Sequence, residues 1–248
     1  MSKIPDKPED IFDEFCGDYA ALFGDDLISI ILYGSGARGE YIPKKSDINF
    51  FIVLSDNGIE KIDRSLDLVV KWEKRSVAVP LFLSEDFIGA SLDTFPLEFF
   101  NIRLAYKVVY GKDILKNLNI ERDKLRLQCE RELKAKLILL RRSFLQANGE
   151  PRLLIGLIKQ SISAFISIFN ALLSLKEEQI PIKYNDIIKA MNEHFGIDQE
   201  IFQGLLGIKK GEKKPGKEAL KKIVWEYIIE VKELSKRVDT MELKAKQA

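Results

Sequence analysis

Along the first hundred residues, apolar runs of strand length alternate with stretches of helical period. Pro8 to Phe23 places Ile11, Phe12, Phe15, Tyr19 and Leu22 at three- and four-residue steps, which predicts a helix, and Gly24 ends it. Ile28 to Tyr33 is a continuous apolar run of β type, followed by a sharp turn at Gly34-Ser35-Gly36 and a segment, Ala37 to Tyr41, expected to start a helix. Ser46-Asp47 leads into a second apolar run, Ile48 to Leu54. Asp56-Asn57-Gly58 reads as a turn, and Ile59 to Lys74 as a helix with Ile62, Leu66, Val69 and Val70 on its buried face. Val77 to Leu83 reads as a third strand, Leu97 to Tyr106 as a helix, and Val108 to Tyr110 as a short strand before Gly111-Lys112-Asp113.

From Arg122 onward the period is helical throughout. Leu133, Leu137, Leu140 and Phe144 mark one helix, closed by Asn148-Gly149, and Pro151 opens the next region. Leu153 to Leu175, Tyr184 to Phe195, a short Ile201 to Leu206 and a final Glu218 to Ala245 follow. Several helices with short connections predict a bundle. The expected organisation is therefore an α/β domain with a small mixed sheet over residues 1–118 and an all-α helical bundle over 119–248.

Composition narrows the function classes. With 248 residues and 46% hydrophobic content, the chain can build a substantial core. A net charge of +1 carries no global field for nucleic acid. The seven lysines between Lys209 and Lys222 lack interleaved aromatics and read as a solvated loop, so a nucleic-acid partner is unsupported. Leu153 to Leu175 is long enough to span a bilayer, but Lys159 at that depth is costly, and a buried bundle helix is the reading adopted; no membrane is expected. Cys16 and Cys129, far apart and without ligand spacing, point to two reduced, buried thiols and a cytoplasmic location. His194 near Gly196 fits a helix C-terminus rather than a metal site. Ser161, Ser163, Ser167 and Asn170 are expected to hydrogen-bond within the bundle.

Candidate chemistry concentrates between Gly34 and Asn49. A glycine turn between two strands lets backbone N–H groups and the Ser35 hydroxyl approach a phosphate, and Arg38 stands on the same turn. Asp47 and Asn49 are two apart on a strand and share a face. Asp47 also admits a plainer role, capping the turn before the strand. Lys44 and Lys45 lie in the intervening loop.

This stretch resembles the signature of the DNA polymerase β-like nucleotidyltransferase superfamily: a hydrophobic residue, Gly-Ser, a spacer, then acidic–hydrophobic–acidic. Tyr33 precedes Gly34-Ser35, eleven residues intervene, and Asp47-Ile48-Asn49 follows. Ala37-Arg38-Gly39-Glu40 and Ser46-Asp47 match the fuller form in small members of the kanamycin-nucleotidyltransferase and minimal-nucleotidyltransferase type. The resemblance implies transfer of a nucleoside monophosphate from an NTP to an acceptor hydroxyl, with Mg²⁺ as cofactor and the acceptor held between the two parts. Gly34, Ser35, Arg38 and Ser46 would bind the nucleotide, and Asp47 would ligate metal. Asn49 departs from the pattern, standing where the second acid belongs. The strand expected to carry a third acid, Ser76 to Leu83, has none; Glu85 and Asp86 suit a helix start instead. Two functions follow from the resemblance: a nucleotidyltransferase weakened or inactivated by this degenerate acid set, or a pseudoenzyme binding a nucleotide or a partner protein. The sequence leaves the acceptor and a homodimer open, and the bundle contains no Arg-x4–6-His motif of a companion ribonuclease.

Overall fold

The computed structural model describes residues 4–176 and 180–242 and divides the chain into two compact units, Met1–Ile120 and Glu121–Ala248. The first unit runs α1 (Phe12–Phe23), β1 (Leu27–Tyr33), β2 (Asn49–Leu54), α2 (Asp56–Ile59), α3 (Leu66–Glu73), β3 (Leu81–Ser84), α4 (Glu85–Ala90), α5 (Pro96–Leu104) and β4 (Tyr106–Gly111). The second runs α6 (Arg122–Ala147), α7 (Pro151–Ser174), α8 (Tyr184–Phe195), α9 (Gln199–Lys210) and α10 (Lys217–Asp239). The last residues of the expected final helix, 243–245, lie outside the described residues.

The four strands form one mixed sheet in the order β3-β2-β1-β4; β1 pairs antiparallel with β2 and β4, and β2 pairs parallel with β3. Both faces of β1 and β2 are buried, which is why their sequences are continuous apolar runs rather than alternating ones. Ile30, Leu32, Phe50 and Ile52 pack with Phe15, Tyr19 and Trp72 on one face. Ile31, Phe51 and Val53 pack with Ile88, Phe99 and Ile102 on the other. Phe15 is the hub of the first face, stacked on Phe50 at 4.0 Å and edge-on to Trp72 at 5.0 Å. Such ring pairs contribute about 0.5–1.5 kcal/mol each beyond their buried area.

Four expectations need correction. Ala37 to Tyr41 is not helical: residues 34–39 form consecutive turns, because Gly39 at φ +73° leaves the right-handed helical region. Asp56-Asn57-Gly58 is not a bare turn but the start of α2, capped by the Ser55 hydroxyl accepting from the Gly58 N–H. Ile59 to Lys74 is broken into a 3₁₀ turn, Ile62–Ser65, and α3, and the face is reversed: Ile62, Leu66 and Val70 are exposed while Trp72 is buried. One large ring decides this orientation, since the Trp72 indole donates to Asp18 at 3.0 Å and is flanked by the Lys71 and Arg75 cations. The third strand is shorter than expected, Leu81–Ser84 with an isolated bridge at Val77, interrupted around Pro80, which has no N–H to donate.

In the second unit α7 packs against α6, α8, α9 and α10. Its composition passes for a membrane span, and 44% of its most apolar window is buried within the protein. Phe165, Phe169, Phe202 and Tyr227 form an edge-to-face chain at its centre, and the Tyr227 hydroxyl donates to Ser161 at 3.1 Å. Ser163 accepts from Lys209, and Asn170 is buried in α7.

Cys129 is fully buried, whereas Cys16 is only half-buried, with its thiol directed at the Val109 carbonyl. Burial, aided by the Asp13 charge, pushes the Cys16 thiol up to about 11. A thiolate is the reactive form. An aromatic disulfide reagent at neutral pH is therefore expected to modify neither cysteine rapidly in the native state and both after unfolding; fast native labelling of Cys16 would contradict this packing.

Candidate functional site

The site begins where β1 and β2 run out together. Tyr33, the last residue of β1, is opposite Asn49, the first of β2. The chain leaves β1 through Gly34 at φ +72°, a left-handed conformation that costs a side-chain-bearing residue about 1–2 kcal/mol. The turn is held by its own backbone, with the Arg38 N–H donating to Gly34 O at 3.1 Å and the Glu40 N–H to Ser35 O at 2.9 Å. Arg38 makes no side-chain ion pair among the described residues.

The loop then returns through a second closure. The Ser46 N–H donates to Ile42 O at 2.9 Å, and the Ile42 N–H donates back to Ser46 Oγ at 3.1 Å. Ser46 thus has a structural task, pinning the loop that delivers Asp47. Ile48 and Phe50 point into the face covered by α1, so the alternation places Asn49 on the other face, with Asp47 in the loop just before the strand. Asp47 is exposed and carries no ion pair among the described residues.

Asn49 reaches back rather than outward. Its side-chain amide nitrogen donates to the Asp47 carbonyl at 3.3 Å. The same nitrogen would stand 3.3 Å from a Cβ placed on Gly34. The glycine turn, the Asp47 backbone and Asn49 therefore converge at one end of the sheet, with an amide N–H₂ lodged against the turn.

Two features of this corner escaped sequence reasoning. Tyr41 donates its hydroxyl to Pro5 O at 3.2 Å, and its phenol is held above its usual value by burial and by the charges of Asp47, Asp6 and Asp10. The amino-terminal 3₁₀ turn, Pro8–Ile11, thus brings acids near the Asp47 loop, which no motif spacing signals. Asp10 is already engaged, accepting from the backbone N–H groups of Asp6 and Lys7. The second feature is the β3 surface. Phe51 is paired with Leu81, so Leu81 shares the face of Asn49. Leu81 is 38% and Val79 61% exposed, so apolar side chains stand in solvent beside the site.

A pair of Mg²⁺ ions needs hard oxygen ligands, carboxylates above all. The residues present do not fit that pair. Asp47 is one carboxylate, Asn49 turns its nitrogen towards the turn, and the neighbouring β3 position is Leu81. Among the described residues no group of three His, Cys, Asp or Glu gathers where a metal could be held.

No protein-family model matches the chain. Over 109 residues it is 34% identical to the "Putative protein adenylyltransferase MJ1305" of Methanocaldococcus jannaschii, a stretch covering 42% of this chain and 71% of that protein. Among solved structures, spectinomycin adenyltransferase from Enterococcus faecialis, crystallised with ATP and spectinomycin, matches with a TM-score of 0.52 at 12% identity, covering 92% of this chain and 98% of that one. At that identity the likeness is one of fold.

Proposed function

Because the chain belongs to the nucleotidyltransferase superfamily, with a nucleotidyltransferase-type domain followed by a helical region, we propose that it holds ATP by the triphosphate at the Gly34–Ser35 turn and that adenylyl transfer is strongly depressed in it. The choice of an adenine nucleotide follows the names of both relatives. The observation that carries the reading is the pairing of a well-formed glycine turn with the lack, among the described residues, of any group of three acids that could hold a metal.

Backbone N–H groups at the turn and the Ser35 hydroxyl supply donors for phosphate oxygens, and Arg38 supplies an unpaired cation. In this reading Asp47, exposed in the loop before β2, draws a proton from an attacking hydroxyl. Arg38, Lys44 and Lys45 are the cations of this loop, and among the described residues no cluster of acids is present to add a metal pair to them as pyrophosphate leaves. Removing one well-placed electrostatic group typically costs about 10²–10³ in rate, and two carboxylates are absent.

Calorimetry measures ATP binding, and incubation of the full chain with α-labelled ATP and small-molecule and protein acceptors carrying hydroxyls measures transfer, the nucleoside monophosphate passing to the acceptor as pyrophosphate leaves. The expected result is saturable ATP binding with turnover at least about 100-fold below the roughly 10 s⁻¹ common among enzymes. Turnover near that common value would overturn the depressed chemistry, and absence of ATP binding would overturn the reading as a whole.

Gly34→Ala probes the turn directly. A methyl there is strained at φ +72° and presses on the Asn49 amide at 3.3 Å. ATP affinity is expected to fall by about tenfold or more, corresponding to about 1.4 kcal/mol of lost binding. Unchanged affinity would place the phosphates elsewhere.

A further inference from the structure

The misfit between this corner and a metal pair has its own chemical content. We infer that ATP binds here without a divalent cation, the Asn49 amide N–H serving the phosphates where a second carboxylate would have served a metal. This inference rests on the proposal that ATP occupies the Gly34–Ser35 turn.

The geometry comes first. A carboxamide has two N–H donors on one nitrogen. One is directed at Asp47 O at 3.3 Å, and the nitrogen itself lies against Gly34, at the point where the chain turns out of β1. The remaining N–H is uncommitted among the described residues and belongs to a group lodged at the turn that would receive the triphosphate. A carboxylate at the same place accepts only, and repels phosphate unless a cation lies between them. The change from acid to amide therefore converts an acceptor that requires a metal into a donor that excludes the need for one.

Local charge agrees. Between Gly34 and Asn49 the chain carries three cations, Arg38, Lys44 and Lys45, against two carboxylates, Glu40 and Asp47. None of the three cations is ion-paired among the described residues. With an acid at 49 the segment itself would be balanced, and with the amide it is positive by one charge; Asp6 and Asp10, whose charges act on Tyr41, lie near it and are not part of that count. The edge beside β2 points the same way, because the exposed side chains of Leu81 and of Val79 just before β3 offer no carboxylate to a hydrated Mg²⁺ ion, which dehydrates reluctantly.

The test is calorimetric titration of the full chain with ATP, once in Mg²⁺ and once in excess EDTA. The dissociation constant in EDTA is expected to lie within about threefold of that in Mg²⁺, since Mg²⁺ then acts only as a counterion to the nucleotide. Binding seen in Mg²⁺ and lost in EDTA would overturn this inference and leave ATP occupancy standing. Binding in neither condition would overturn the occupancy itself, and this inference with it. Asn49→Asp, nearly identical in shape, supplies the second arm. It is expected to weaken binding in EDTA by about tenfold or more while leaving the thermal midpoint close to wild type, because it replaces a donor by a charge facing phosphate. Wild-type affinity of this variant in EDTA would remove Asn49 from the role.

Discussion

Asn49→Asp combined with Leu81→Asp is expected to raise pyrophosphate release from ATP in Mg²⁺ by about 10²-fold or more over wild type, while Asn49→Asp alone changes it little. The two positions share a face of adjacent parallel strands, through the Phe51–Leu81 pairing, and Asp47 approaches the same corner from the loop. Together the three side chains would present the clustered carboxylates that hard cations require. Leu81 is already partly in solvent, so the charge enters without disturbing packing. Strong turnover in the single variant would show that a further acid already serves the site, with Asp6 and Asp10 the nearest to Tyr41 and its loop. A double variant as slow as wild type would show that the corner is not where transfer takes place.

Gly111→Ala is expected to be the most damaging small substitution in the first unit. Gly111 ends β4 at φ +73°, paired with Ser29 of β1. A Cβ there would lie 2.0 Å from the Ile28 carbonyl oxygen and 3.1 Å from the Ser29 α-carbon. Those atoms are backbone of an interior strand, so no side chain can swing aside. Left-handed strain and overpacking add to a loss of about 3–5 kcal/mol, and a melting temperature lower by roughly 10 °C or more. Chemical denaturation measures the first and a thermal scan the second. An unchanged midpoint in both would mean that β4 can part from β1 at this end without cost.

The sheet and the long helices were legible because burial writes itself into sequence at those places. Ile28–Tyr33 and Ile48–Leu54 are apolar without interruption since both faces of β1 and β2 are covered, and α6, α7 and α10 repeat at helical steps because each buries a stripe. The face of α3 was illegible because apolar spacing counts residues, whereas one indole with a carboxylate partner and two flanking cations outweighs three aliphatic side chains. The short helix after Gly36 was lost to a single glycine, Gly39, whose conformation no periodicity records. At the site, the glycine turn between the two strands followed from spacing alone. The direction of the Asn49 amide did not, since it depends on a carbonyl two residues back in a loop whose path the sequence does not specify. The same holds for Tyr41, which meets Asp6 and Asp10 only through the folded amino-terminal turn.

Strand β3 lies at the rim of the sheet, and Leu81 at its start, with Val79 just before it, looks into solvent. Architecture and chemistry are thereby uncoupled at this strand. Val79 and Leu81 contribute little to the interior, so selection for a stable fold exerts almost no hold on their identity. A carboxylate could therefore replace Leu81 while folding stays untouched, so the chemistry of this rim can be refitted without rebuilding the sheet that carries it.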